Sequence, residues 1–135
     1  MAYEKPLPAI DDDNRLYWEG AKRHELTITY CKHCAGYFFP PRQLCPDCLR
    51  DDGVEWRKAS GKGTVYSISV VHQNRAKGFR EDVPYTVGYI TLEEGIQMLC
   101  NVVAEDPYDV KVGMPVEVFF EDASEGISIP RFRLV

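Results

Sequence analysis

The chain has 135 residues and a mass of 15.4 kDa, which suits one domain, or one modest domain with a small appendage. Its 44% hydrophobic content and mean hydropathy of −0.33 exclude a disordered chain, and no apolar run approaches the ~20 residues of a membrane span. A formal net charge of −5 and a pI near 5.2 withhold the overall basic charge with which nucleic-acid binders neutralise phosphates, leaving only a local basic patch for that role.

The opening MAYEKPLPAIDDDN has no basic region followed by an apolar one, so no signal peptide is expected and the cytoplasm is the default location. Up to about Pro8 it reads as a Pro-containing arm, lying on another surface or mobile. Asp11, Asp12 and Asp13 supply cap and first-turn carboxylates for a helix of about three turns over NRLYWEGAKRHEL, with Leu16, Tyr17 and Ala21 in apolar register and Gly20 as a weak point. ELTITYC alternates and is β-branched, which predicts a strand running into the first cysteine pair.

After a polar turn at RDDG, Gly61 and Gly63 mark a boundary. Beyond it lie short strands separated by turn signals: TVYSISVVH, PYTVGYITL, IQMLCNVVA, PVEVFFED and SIPRFRLV. In the first of them Tyr66, Ile68 and Val70 alternate with Val65, Ser67 and Ser69. Five strands with few helical patterns predict a small barrel or sandwich, and five fits an OB-fold best. The longest break between them, VHQNRAKGFREDVPY, carries Arg75, Lys77 and Arg80 around Phe79 and reads as a working loop. The fold class is therefore mainly β: an N-terminal arm, helix and lead-in strand over 1–29, a rubredoxin-like zinc ribbon over 30–60 and a five-stranded OB-fold barrel over 61–135.

The ribbon is defined by YCKHCAGYFFPPRQLCPDCL, residues 30–49. Two CxxC knuckles can point four sulfurs at one tetrahedral ion, and a soft thiolate set selects zinc or iron, with zinc favoured for a closed four-cysteine site. Cys31, Cys34, Cys45 and Cys48 are thus the metal ligands. Four cysteines leave no open position for water or substrate, so the zinc is structural. Rubredoxin-like iron is an alternative, and His33 inside a knuckle could displace a cysteine, although an exposed or neighbouring imidazole is the plainer reading. A redox dithiol would need a CxxC at a helix N-terminus, which the pattern lacks. Zinc supplies folding free energy that a ribbon of ~30 residues cannot draw from its own core. Tyr37, Phe38 and Phe39 either pack against helix and barrel or form a docking surface.

Catalytic motifs are missing: there is no GxSxG, P-loop, GxGxxG or HExxH. His24 falls in the expected helix and His72 at a strand end, neither beside an obvious nucleophile. Cys100, within the apolar run IQMLCNVV, reads as a buried, inert thiol. Aspartates and glutamates cluster in turns.

The order of helix, four-cysteine ribbon and small barrel resembles the acyl-CoA-associated zinc-ribbon OB-fold family. The resemblance is carried by YWEGAKRHELTITYCKHC, FPPRQLCPDC, SGKGTVYSISVVH, DVPYTVGYITLEEG and VKVGMPVEVFFED…IPRFRLV, and covers nearly the whole chain. It implies a small, non-catalytic accessory subunit of a thiolase-like enzyme (a thiolase, an acyltransferase or a retro-aldolase). Such a subunit assembles as a hetero-oligomer, of two plus two chains on this reading, and helps bind acyl-CoA while the catalytic groups stay on the partner. CoA needs local cations and flat apolar surface, which Phe39 and Arg42 and the loop residues Arg75, Lys77, Phe79 and Arg80 could offer; the bland reading is that these are ordinary surface cations. The alternative is a single-stranded nucleic-acid-binding OB-fold/zinc-ribbon protein, which the acidic charge disfavours.

Overall fold

The computed structural model describes residues 3–124 and 126–135. Helix α1 spans Arg15–Lys22 and is shorter than the sequence predicts. The aspartates shape the turn before it rather than its first turn: Asp11 Oδ1 accepts from the N–H groups of Asp13 and Asn14 at 2.9 and 3.0 Å. None of the helix's first-turn residues is acidic. Tyr17, Gly20 and Ala21 form the buried stripe at i, i+3 and i+4, so Leu16 falls outside it and is 39% exposed. The helix ends early because the chain folds back sharply, with Glu25 N–H bonded to Gly20 O at 2.9 Å. His24 is therefore not helical; it sits at φ 61 beyond the helix end. Gly20 has a packing reason, since a Cβ there would stand 2.7 Å from Thr27 Oγ1.

The ribbon is a three-stranded antiparallel sheet in the order β2-β1-β3, from β1 (Thr27–Cys31), β2 (Gly36–Phe38) and β3 (Val54–Lys58). Only β1 is legible in the sequence; β2 is three residues long and β3 carries the charged pattern VEWRK. Thr29 lies fully buried at the sheet centre and its hydroxyl donates to Phe38 O at 2.8 Å. That bond satisfies a buried hydroxyl and fixes β2 on β1.

Five strands close the barrel: β4 (Lys62–Val71), β5 (Tyr85–Leu92), β6 (Gln97–Val103), β7 (Pro115–Asp122) and β8 (Ser128–Leu134). They run in the order β4-β5-β6-β8-β7, with β6 and β8 parallel and the remaining pairs antiparallel. This is the Greek-key order of an OB-fold, and closure leaves its strands no free edge. The alternation read in β4 puts Val65 on the buried face and Tyr66 and Ile68, 60% and 37% exposed, on the other, while a bulge between Val65 and Ser67 shifts the pairing register with β5.

One core joins the two parts. Val65, Ile90, Val110, Val116 and Phe132 fill the barrel at 2% exposure or less. Tyr17 of the helix, with Leu26, Ile28 and Ala59 of the ribbon, extends the same cluster. The helix and ribbon are thereby held against the barrel by apolar burial, worth about 1.5–3 kcal/mol for each large side chain removed from water.

Candidate functional site

The two knuckles share a local design. The first joins β1 to β2, the second lies between β2 and β3, and each is followed by a residue in the left-handed region: Ala35 after Cys34 (φ 53) and Leu49 after Cys48 (φ 61). That backbone bend turns both sulfurs of a CxxC to one side. In the second knuckle Leu49 N–H donates to Cys45 O at 2.9 Å, and Cys45 N–H to Arg50 O at 3.0 Å.

The four Sγ atoms all lie within 4.8 Å of one another. Cys31 Sγ and Cys48 Sγ are 3.7 Å apart, and Cys34 Sγ and Cys45 Sγ 3.9 Å. A tetrahedral zinc with bonds of about 2.3 Å has ligand–ligand edges of about 3.8 Å, so the residues fit the ion. All five cysteines of the chain are free thiols. N–H groups of Cys48 and Asp47 hold the Cys45 thiol down to about 7, toward the thiolate a metal requires. Neighbouring sulfurs, Cys48 first, push Cys34 up to about 12, because a second anion is disfavoured until a cation joins the cluster.

Beneath the knuckles, Cys31, Phe38 and Cys45 form a small buried cluster. Phe38 is 7% exposed, so it seals the metal centre and is not part of a docking surface. Phe39 on the following residue is half-buried and packs against Tyr17 at 5.9 Å between ring centres. His33 is exposed and turned to Asp52, Nε2 to Oδ1 3.0 Å, where it does not displace a cysteine. Arg50 clamps the same carboxylate from the other side at 2.7 Å. Arg50 first, then the imidazole, hold Asp52 down to about 2.

Of the clefts among the described residues, two are lined by predicted contact residues. A groove of about 380 Å³ runs between the N-terminal turn and the proline pair, lined by Asp13, Trp18, Pro40 and Arg42 among others. A cleft of about 450 Å³ lies on the outer face of the barrel, lined by Phe79, Asn101, Phe119 and Arg131 among others. The structure thus separates the predicted contact residues: Arg42 faces one cleft and Phe79 the other. Arg75, Lys77 and Arg80 stand exposed on the β4–β5 loop and line neither.

No histidine–nucleophile pair forms among the described residues. Cys100 Sγ donates to Pro130 O at 3.1 Å, and burial raises its thiol to about 11. His72 instead lies 3.3 Å from Tyr108 OH. His24 stacks on Phe120 and bonds Asp122 at 2.7 Å.

Residues 18–55 match the ChsH2 rubredoxin-like zinc ribbon domain, and residues 56–121 match the ChsH2 C-terminal OB-fold domain. The chain belongs to the DUF35 family. A DUF35 domain-containing scaffold protein of Methanocaldococcus jannaschii is 41% identical over 115 residues, covering 82% of this chain and 81% of that protein. A probable enoyl-CoA hydratase alpha subunit of Thermomonospora curvata is 34% identical over 131 residues; the match covers 96% of this chain but 40% of that longer protein. Among solved structures, a chain of the Ltp2–ChsH2(DUF35) aldolase superposes with a TM-score of 0.84 at 34% identity, covering 95% of this chain and 98% of that one.

The DUF35 chain also holds groups that its sequence pattern does not single out. Arg131 is 8% exposed, and its guanidinium donates to Glu121 and Asn101 at 2.8 and 2.7 Å. Alternation in SIPRFRLV places Arg131 on the outer barrel face, but nothing in the sequence signals the cover that buries it. Tyr3 of the N-terminal arm meets it there, its hydroxyl 3.5 Å from Arg131 Nη2. No helix among the described residues is long and apolar enough to cross a membrane.

Proposed function

We propose that this chain is a non-catalytic, zinc-stabilised OB-fold subunit that assembles with a thiolase-like catalytic subunit in the cytoplasm. It contributes surface to acyl-CoA binding, while thiolytic, acyl-transfer or retro-aldol chemistry runs on the partner. The observation that carries this reading is the end-to-end correspondence with a chain of a two-component aldolase, 95% of this chain against 98% of that one. The names of the relatives, a scaffold protein and a hydratase alpha subunit, point the same way. So does the chemistry of the described residues: the cysteine shell is closed, Cys100 is held as a thiol, and no imidazole reaches a nucleophile.

On this reading the zinc acts only through the fold. It fixes the knuckles, and the knuckles present the FFPP turn with Phe39 and Arg42. The β4–β5 loop presents Arg75, Lys77 and Arg80 with Phe79 at its base. Exposed cations beside apolar rings suit the phosphates and adenine of CoA on an otherwise acidic chain. Arg42 and Phe79 line different clefts, and we assign one of these two surfaces to the ligand and the other to the partner. We propose an assembly of two copies around a partner dimer. Mixing the purified chain with its thiolase-like partner tests the reading by co-elution and by acyl-CoA turnover, which should appear only in the mixture. Turnover by this chain alone would contradict it.

A further inference from the structure

The two halves of the barrel differ in what they turn outward. β7 and β8 carry charged side chains there, with Glu117 bonded to Arg133 at 3.0 Å and Glu121 to Arg131 at 2.8 Å. The stretch of β4 from Thr64 to Val71, all of β5 and all of β6 contain no Asp, Glu, Lys, Arg or His, in a chain that is 27% charged. Ile90 and Met98 pair across β5 and β6 and are buried in the core. Their neighbours Tyr89 and Leu99, which also pair directly, therefore point away from it and are 47% and 59% exposed. Tyr66, at the bulge beside the β4 partner of Tyr89, is exposed as well. The polar residues that share this face, Ser67, Thr91 and Gln97 among them, are neutral. The helix packs on β1 and β8, away from it.

A solvated sheet face alternates apolar residues inward with polar ones outward, whereas the core of an interface loses charged groups and gains aromatic ones. We infer that the outer face of β4, β5 and β6, centred on Tyr89 and Leu99, is where the catalytic subunit docks, through an uncharged apolar patch of its own. Size and charge select that occupant over a second copy of this chain. Three strands about 4.8 Å apart, with β5 of 8 and β6 of 7 residues at about 3.3 Å each, give a face of about 350 Å² in plan. A stable pair of chains buries about 800 Å² on each side. Two copies would also bring together chains of net charge −5, and net charge far from zero keeps proteins monomeric. An unlike subunit can cover the same face and reach the surface around it as well. Its patch is uncharged because a charge set against Tyr89 and Leu99 would lose water and gain no partner. Neither Arg42 nor Phe79 lies on these strands, so the face adds an apolar centre to the subunit contact. The docking face rests on the accessory-subunit reading, and the two can fail separately.

The full chain is labelled with hydroxyl radicals, alone and in complex with its thiolase-like subunit, and modification of Tyr66, Tyr89 and Leu99 is read by mass spectrometry. All three should be protected in the complex. Leu99→Glu, checked for fold by circular dichroism and zinc content, should weaken association at least about tenfold, while Leu99→Met should not. The footprint on the unmodified chain decides the matter if Leu99→Glu does not fold. Light scattering should find the chain alone monomeric. Co-elution with the subunit while the three side chains label as before, or unchanged association of Leu99→Glu, would overturn the docking face and leave the accessory-subunit reading standing. A chain that dimerises alone, with the dimer broken by Leu99→Glu, would give the face to a second copy and overturn it too. No association of the unmodified chain would remove the accessory-subunit reading, and the docking face with it.

Discussion

Cys31 and Cys48, one from each knuckle, hold their Sγ atoms 3.7 Å apart, the spacing of one tetrahedral edge around zinc. They are seventeen residues apart in sequence, so this edge ties the end of β1 to the second knuckle. Purified protein should contain close to one zinc per chain. Cys45→Ser leaves three thiolates and should release the metal, with the ribbon losing order while the barrel survives. Metal analysis together with near-ultraviolet circular dichroism checks this; full zinc retention in Cys45→Ser would contradict it.

Cys100 should behave as a structural thiol. Its Sγ is bonded to Pro130 O and burial raises it to about 11, so at pH 8 it stays protonated. In the zinc-loaded protein it should react with iodoacetamide far more slowly than a free cysteine. Cys100→Ala should leave the activity of the assembled enzyme largely intact.

Phe38 and Phe39, adjacent in sequence, should separate in their effects. Phe38 seals the metal cluster, and Phe38→Ala should cost about 3–5 kcal/mol in denaturant unfolding and weaken zinc retention. Phe39 is half-buried beside Tyr17, and Phe39→Ala should keep the metal while costing ~1–3 kcal/mol of association with the partner, read by calorimetry.

The fold is legible where pattern and period coincide. The two CxxC pairs, the β-branched lead-in strand and the five barrel strands all carry local signals that the tertiary structure keeps. Where expectation and structure differ, the causes are local and physical. The helical pattern runs on too far because His24 and Glu25 are ordinary in a helix, and the sharp return that ends it depends on Gly20 meeting Thr27 across space. The aromatic run at Tyr37, Phe38 and Phe39 leaves packing and docking open, because it gives no sign that β2 turns one ring under the knuckles. The four metal-site cysteines are legible because their spacing is local. The arm, Arg131 and the outer cleft are not, because their contacts join residues as distant as Tyr3 and Arg131.

Acid should weaken the joint between helix end and barrel. Ser128 Oγ donates to Asp122 at 2.6 Å and His24 bonds the same oxygen, and in that order they hold the Asp122 carboxyl below its usual range. A depressed folded-state value contributes stability above the unfolded carboxylate value of ~3.9, and that contribution is lost as pH falls through the lower folded value. Ser128→Ala should move the Asp122 titration, followed by carboxyl NMR, back toward the ordinary range. Wild type should be the more stable at neutral pH and the difference should fade in acid. An unchanged Asp122 titration would contradict the assignment.

Reconstitution from separate components shows where the chemistry resides. The thiolase-like partner and this chain are purified separately, and acyl-CoA turnover is followed for each alone and for the mixture, with the mixture resolved by size-exclusion chromatography. Expected are no turnover by this chain, impaired turnover by the partner alone, and full activity in a co-eluting hetero-oligomer. Turnover by this chain alone, or a partner fully active without it, would rule out an accessory role for this subunit.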